Sequence, residues 1–235
     1  MQQTLTALIL LVSMLCAPLP GGAAQTVPAE LPPGFVYLDT VVADVRQDLR
    51  YATAQNFIGE PIDGYHGSRV ILTREAAAAV AGVQDDLRPF GLGLKVFDGY
   101  RPQRAVDHFV RWAADLNDTR MRAEYYPDVD KKDLFKEGYI AERSSHSRGS
   151  TVDLTLVALI GDQAGEELDM GGSFDLFSPR SWPTSEGVSP PARAHRLLLH
   201  TLMVKHGFTP YAQEWWHFTL KAEPFADTFF NFPVQ

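Results

Sequence analysis

Cysteine is all but missing from this 235-residue chain: Cys16 is the only one, and it lies in an apolar amino-terminal stretch. Past that stretch no disulfide can form, and the thiolate-rich closed sites that hold structural zinc are excluded as well. Long hydrophobic runs are scarce too. TLTALILLVSMLCAPL, at 4–19, is closed by Pro18 and Pro20, short of the roughly 18 or more uninterrupted apolar residues that a membrane span needs. Positive charge is in deficit, with 21 Lys and Arg against 29 Asp and Glu and a net charge of −8. The basic residues are scattered, so neither nucleic acid nor an anionic membrane surface is a natural partner, and a small substrate fits better. From Gln25 onward no repeat, low-complexity tract or Gly/Ser linker splits the chain, which reads as one domain over 25–235.

The apolar run is followed by PGGAAQ, whose small residues suit a signal-peptidase cut after Ala24. Residues 1–24 therefore read as an export signal that leaves no membrane span in the mature protein, which is expected in the periplasm or outside the cell. The opening MQQT lacks the usual Lys or Arg. Lipid attachment at Cys16 ranks second, since SMLC has Ser13 where such signals favour leucine.

In TREAAAAVAGVQDDLRPFG, Thr73 stands where an N-cap belongs, and Ala76, Val80, Val83 and Leu87 recur at helical spacing until Pro89 and Gly91 stop the pattern. LKVFD follows as a short strand. Pro102 opens a second helix, with Val106, Phe109, Val110, Ala113 and Leu116 on one face, and ARAHRLLLHTLMVKHG forms a third that ends at Gly207. TVDLTLVAL and WWHFTL have the β-branched and aromatic content of strands. Helices and strands mix without βαβ alternation. The expected fold is α+β, with a mainly antiparallel central sheet flanked by helices.

A catalytic zinc takes three protein ligands and keeps one position for water. In SSHSRGSTVDLTL, at 144–156, His146 and Asp153 flank Gly149, which lets the backbone fold so that both side chains face one point. EWWHF, at 214–218, offers His217 on a candidate strand as a third ligand. Residues three apart on a strand point to opposite faces, so Glu214 is expected in the preceding loop, turned toward the metal as a proton-transferring carboxylate rather than a ligand. In DGYRP, at 98–102, Arg101 is held just before a helix, where it could steady a developing oxyanion. Each has a plainer reading: Asp153 as a solvated strand residue, Arg101 as a surface residue paired with Asp98. His66, His108, His195, His200 and His206 lack any accompanying carboxylate or glycine pattern and read as structural.

In DLRYATAQNFIGEPIDGY (48–65), DGYRP, SSHSRGSTVDLTL, DMGGSFDLF (169–177) and EWWHF, in this order, the chain resembles the VanX-type D-alanyl-D-alanine dipeptidases, zinc peptidases related to the D,D-carboxypeptidases. The resemblance covers nearly the whole mature chain. It implies a D-Ala-D-Ala peptidase/hedgehog-like fold, one zinc ion held at the sheet by His146, Asp153 and His217, Glu214 as general base and acid, and Arg101 on the scissile carbonyl. It further implies Asp175 at the substrate ammonium, with Ser144 and Tyr65 near its carboxylate. Gly172 and Ser173 stand in DMGGSFDLF where relatives often carry other residues. The expected reaction is hydrolysis of D-Ala-D-Ala to two D-alanines, with the small dipeptide as the only partner the sequence calls for. The alternatives are a D,D-carboxypeptidase trimming peptidoglycan stems and a non-catalytic zinc module that binds wall fragments.

Overall fold

The computed structural model describes residues 30–235; the signal segment 1–24, the cut after Ala24 and Cys16 lie outside them. The chain begins with strand β1 (Phe35–Tyr37), passes the two-residue β2 (Arg46–Gln47) and enters β3 (Ile71–Thr73), which pairs antiparallel with β1. Helix α1 (Arg74–Leu87) starts directly on Thr73, whose Oγ1 accepts the Ala76 N–H at 3.3 Å. This is the capping bond the sequence anticipates, and such caps contribute about 1 kcal/mol. Ala76, Val80, Val83 and Leu87 are all buried, each of the larger ones removing enough apolar surface from water to stabilise the fold by about 1.5–3 kcal/mol. A turn over Arg88–Phe90 and a left-handed Gly91 then lead into β4 (Leu92–Asp98).

Helix α2 (Gln103–Ala114) begins one residue after Pro102, and the four-residue α3 (Arg122–Tyr125) follows. Val106, Phe109 and Ala113 are buried as expected, but Leu116 is not on that face: the helix stops at Ala114, Asp115 caps it, and Leu116 is exposed. The remaining elements are β5 (Thr151–Ala158), α4 (Pro190–Lys205), β6 (Phe208–Tyr211) and β7 (Glu214–Leu220). Helix α4 starts two residues before the expected ARAH segment, because Ser189 Oγ accepts the Ala192 N–H at 3.2 Å and two prolines are tolerated in a first turn, where no N–H is needed.

The main sheet has the order β2-β4-β5-β7-β6, and only the β2–β4 pairing is parallel. Helices α1 and α4 pack against one another and against the sheet, which makes the fold α+β as the element pattern implies. Central β5 is buried over seven of its eight residues, with Val152, Leu154 and Leu156 alternating with Thr151, Asp153 and Thr155. A buried polar side of that kind, in the middle of a sheet, needs hydrogen-bond or charge partners. Among the described residues no helix is long and apolar enough to cross a membrane.

Candidate active site

Three neighbouring strands place three polar residues in one row. Asp98, the last residue of β4, pairs with Asp153 on β5, and Asp153 pairs with His217 on β7. Directly opposed residues on adjacent strands bring their side chains together, so the sheet register alone sets Asp153 between the other two. His146 reaches the row from outside the sheet. It lies on a short 3₁₀ turn, Ser145–Arg148, which Ser144 Oγ caps by accepting the His146 N–H at 3.3 Å. Gly149 closes that turn at φ 83°, and a Cβ there would run into the Phe35 ring. The unit is thus a 3₁₀ turn feeding a strand. The carboxy-terminal segment ties it down: the Phe230 N–H donates to Ser147 O at 2.8 Å, while Phe230 O accepts the Gln103 N–H at the start of α2.

His146 Nε2 lies 3.2 Å from Asp153 Oδ2, His217 Nδ1 lies 3.1 Å from Asp153 Oδ1, and the two imidazole nitrogens are 3.3 Å apart. His146 Nδ1 donates to Gly99 O at 2.7 Å, and His217 Nε2 faces Ser145 Oγ at 3.4 Å. The Gly99 carbonyl can only accept, so in the neutral ring of His146 the proton sits on Nδ1 and Nε2 is left bare, whereas the Ser145 hydroxyl can donate or accept and fixes no tautomer for His217. Asp153 Oδ1 is buried without a hydrogen bond. Four-coordinate metal bonds of 2.0–2.1 Å put neighbouring donor atoms about 3.3–3.4 Å apart; each imidazole faces a different Asp153 oxygen, and one ligand atom from each of the three side chains lies within 4.8 Å of the others, a set that could hold a single divalent cation. Burial pushes the His146 pKa down, toward the neutral form a ligand needs. Burial opposes ionisation of Asp153, but the facing imidazoles outweigh it and hold the carboxyl well below the usual range.

Glu214 is not in a loop. It is the first residue of β7 and pairs with Tyr211, after a register jump beyond the Pro210–Phe218 pair. Residues 215–217 consequently have no partner on β6, and a bulge of this kind cancels strand alternation and re-aims side chains. Glu214 Oε2 ends 3.5 Å from His217 Nδ1, on the same side. Burial pushes its carboxyl up to about 7, with Asp153 adding to the rise and His217 opposing it.

Arg101 binds Asp98 through Nε at 2.9 Å and Nη2 at 2.8 Å, and its Nη2 lies 3.5 Å from Asp153 Oδ2. The pairing with Asp98 is real but not superficial: the Arg101 side chain is only 11% exposed and lies over the Tyr51 ring at 5.0 Å. Asp175, at φ 61°, is the one non-glycine residue with positive φ among those described, a conformation that costs roughly 1 kcal/mol or more. It accepts the Tyr51 hydroxyl at 2.9 Å, and burial pushes its carboxyl well above the usual range.

A cavity of about 370 Å³ opens on these groups, lined by Arg101, Ser144, Asp153, Asp175, Glu214 and His217 among others, a size suited to a small ligand. Tyr65 is not brought to it: the Tyr65 hydroxyl is buried and donates to Asp98 Oδ1 at 2.7 Å. In this structure the hydroxyl holds a buried charge. Tyr51 and Arg143 also line the cavity, and neither stands out in the sequence, since no spacing or neighbouring residue distinguishes them from other tyrosines and arginines. The five remaining histidines lie elsewhere; His206, for example, pairs with Asp86 at 2.7 Å.

Residues 32–235 match the model of a family described as D-ala-D-ala dipeptidase. A D-alanyl-D-alanine dipeptidase of Streptomyces coelicolor is 45% identical over 200 residues, covering 85% of this chain and 98% of its own. One from Enterococcus faecalis is 44% identical over 202 residues, covering 86% and 98%. One from Escherichia coli is 35% identical over 186 residues, covering 79% and 84%.

Proposed function

The chain belongs to the D-ala-D-ala dipeptidase family, and from that premise we propose that it is a zinc-dependent dipeptidase that hydrolyses D-Ala-D-Ala to two molecules of D-alanine. The observation that carries the reading is the convergence of His146 Nε2, His217 Nδ1 and the Asp153 carboxylate, with Glu214 Oε2 3.5 Å from His217 Nδ1. His146, Asp153 and His217 would hold one zinc ion. When bound, zinc supplies Lewis-acid polarisation of the scissile carbonyl and makes water acidic enough to attack near neutral pH.

The chain's own residues do the rest. Positive charge at the triad favours the ionised form of Glu214, reversing the rise that burial imposes. As a carboxylate, Glu214 takes a proton from the attacking water at an Oε atom and delivers it to the departing amine. Arg101, fixed by Asp98, donates to the carbonyl oxygen as negative charge develops there; a donor held in place before the reaction needs no reorganisation during it. Asp175 pairs with the substrate ammonium, and that positive charge offsets the burial which otherwise favours the neutral acid. Ser144 donates to the carboxylate.

A D,D-carboxypeptidase would need room beyond the amine end of the substrate, where a buried acid such as Asp175 is unfavourable. A binding module would have no use for Glu214. The apolar leader supports export to the periplasm or beyond, and the acidic balance supports the dipeptide rather than nucleic acid as partner.

The test is incubation of purified protein with D-Ala-D-Ala, L-Ala-L-Ala, acetyl-D-Ala-D-Ala and a stem pentapeptide, with and without chelator. Only the free D-dipeptide should be cleaved well, and chelation should abolish that. Preference for the acetylated dipeptide or the pentapeptide would reject this reading in favour of a carboxypeptidase, and no turnover by zinc-loaded protein would favour the binding module.

A further inference from the structure

The cavity wall carries two guanidinium groups, and they differ in what they already hold. Arg101 is buried and bound to Asp98. Arg143 precedes Ser144, is exposed, and has no hydrogen-bond or ion-pair partner among the described residues. It is nevertheless not adrift, because its guanidinium lies over the Phe229 ring, 4.9 Å from the centroid. Stacking on an aromatic face restrains a guanidinium while leaving its N–H edge open, the arrangement that suits a planar anion such as a carboxylate.

The dipeptidase reading leaves one charge unmatched. With the Tyr65 hydroxyl committed to Asp98, Ser144 is the remaining donor expected at the substrate carboxylate, and a neutral hydroxyl alone compensates poorly for taking a full negative charge out of water. The residue just before it in the chain is an uncommitted arginine on the same cavity wall. Resting on the dipeptidase reading, we propose that Arg143 receives the terminal carboxylate of the substrate, with Ser144 as a second donor, and so makes the site selective for peptides that end in a free carboxylate one residue past the scissile bond.

The experiment compares kcat/KM for D-Ala-D-Ala and for the same dipeptide ending in a carboxamide, on wild type, Arg143→Ala, Arg143→Lys and Phe229→Ala. Because Arg143 is exposed, removing it disturbs little packing, and zinc content verifies that the site is intact. A charge-assisted hydrogen bond at a rim position is expected to give wild type about a tenfold or greater preference for the acid. Arg143→Ala should lose most of that preference, mainly through KM. Arg143→Lys should recover part of it, and Phe229→Ala should fall between wild type and Arg143→Ala. An unchanged acid-to-amide ratio in Arg143→Ala would overturn the assignment and leave the dipeptidase reading standing. A wild type that turns over neither substrate would overturn both.

Discussion

Aspartates hold basic groups in two regions of this molecule, with opposite consequences. On the surface, Asp39 and Arg69 form a two-pronged pair at 2.5–2.9 Å, with side chains 30% and 38% exposed, and the guanidinium also covers the Tyr37 ring. In the sheet, Asp153 is 2% exposed, faces two imidazoles at 3.1–3.2 Å, and still leaves one oxygen without a hydrogen bond. The surface pair is complete and screened by water, so either member can be lost cheaply. The buried cluster holds its charge out of water between two imidazoles, 3.5 Å from Arg101 Nη2, so losing one partner there leaves a buried charge short of partners. That difference, and not the residue types, separates a stabilising ion pair from a site.

The comparison breaks most sharply at Asp153. Asp153→Asn or His217→Ala is expected to lose zinc, nearly all activity and part of the stability together, since metal binding couples to folding when the ligands come from separate segments. Elemental analysis and thermal melts with and without chelator measure this, and full metal stoichiometry after dialysis would remove the residue from the ligand set. Glu214→Gln should keep zinc while activity falls by about 10²- to 10⁴-fold, the usual contribution of a positioned base. Metal content falling together with activity would make Glu214 a ligand instead.

Tyr65→Phe asks whether that hydroxyl serves the substrate or the buried Asp98. Leaving a buried carboxylate one hydrogen bond short should lower stability by about 1–3 kcal/mol in denaturant melts, with an unchanged acid-to-amide ratio; a shifted ratio would return Tyr65 to the substrate. The smallest effect is expected at the surface, where Asp39→Asn should cost less than about 1 kcal/mol, and less still in high salt. Arg69 holds the Asp39 carboxyl below its ordinary value of 3.8, against the opposing effect of partial burial. Because the folded value is the lower one, this contribution is present above that pH and is lost as pH falls below it. The stability gap between wild type and Asp39→Asn should therefore close on acidification.

The start of α1 and the segments that carry His146, Asp153 and His217 are legible because their signals are local. Thr73 precedes an apolar stripe at helical spacing, and the glycine after His146 announces a turn wherever it occurs. The place of Glu214 is not legible, for a reason that is not local: its direction depends on a register jump against β6, at Pro210, a residue with no N–H to give the ladder. Leu116 reads as part of a helix face because apolar spacing continues past the point where the helix stops, at Asp115.

By itself the sequence determined the fold class, the two segments that bring His146, Asp153 and His217 together, and, through five ordered blocks, the family. Which nitrogen of each imidazole faces inward, that Tyr65 serves Asp98, that Arg143 stands uncommitted on the cavity wall, and that Asp98, Asp153 and His217 form one row were decided only by tertiary structure. The reason is physical. A residue's type sets what it can donate or accept, but its partner is set by strand register and burial, and those depend on chain segments tens of residues away.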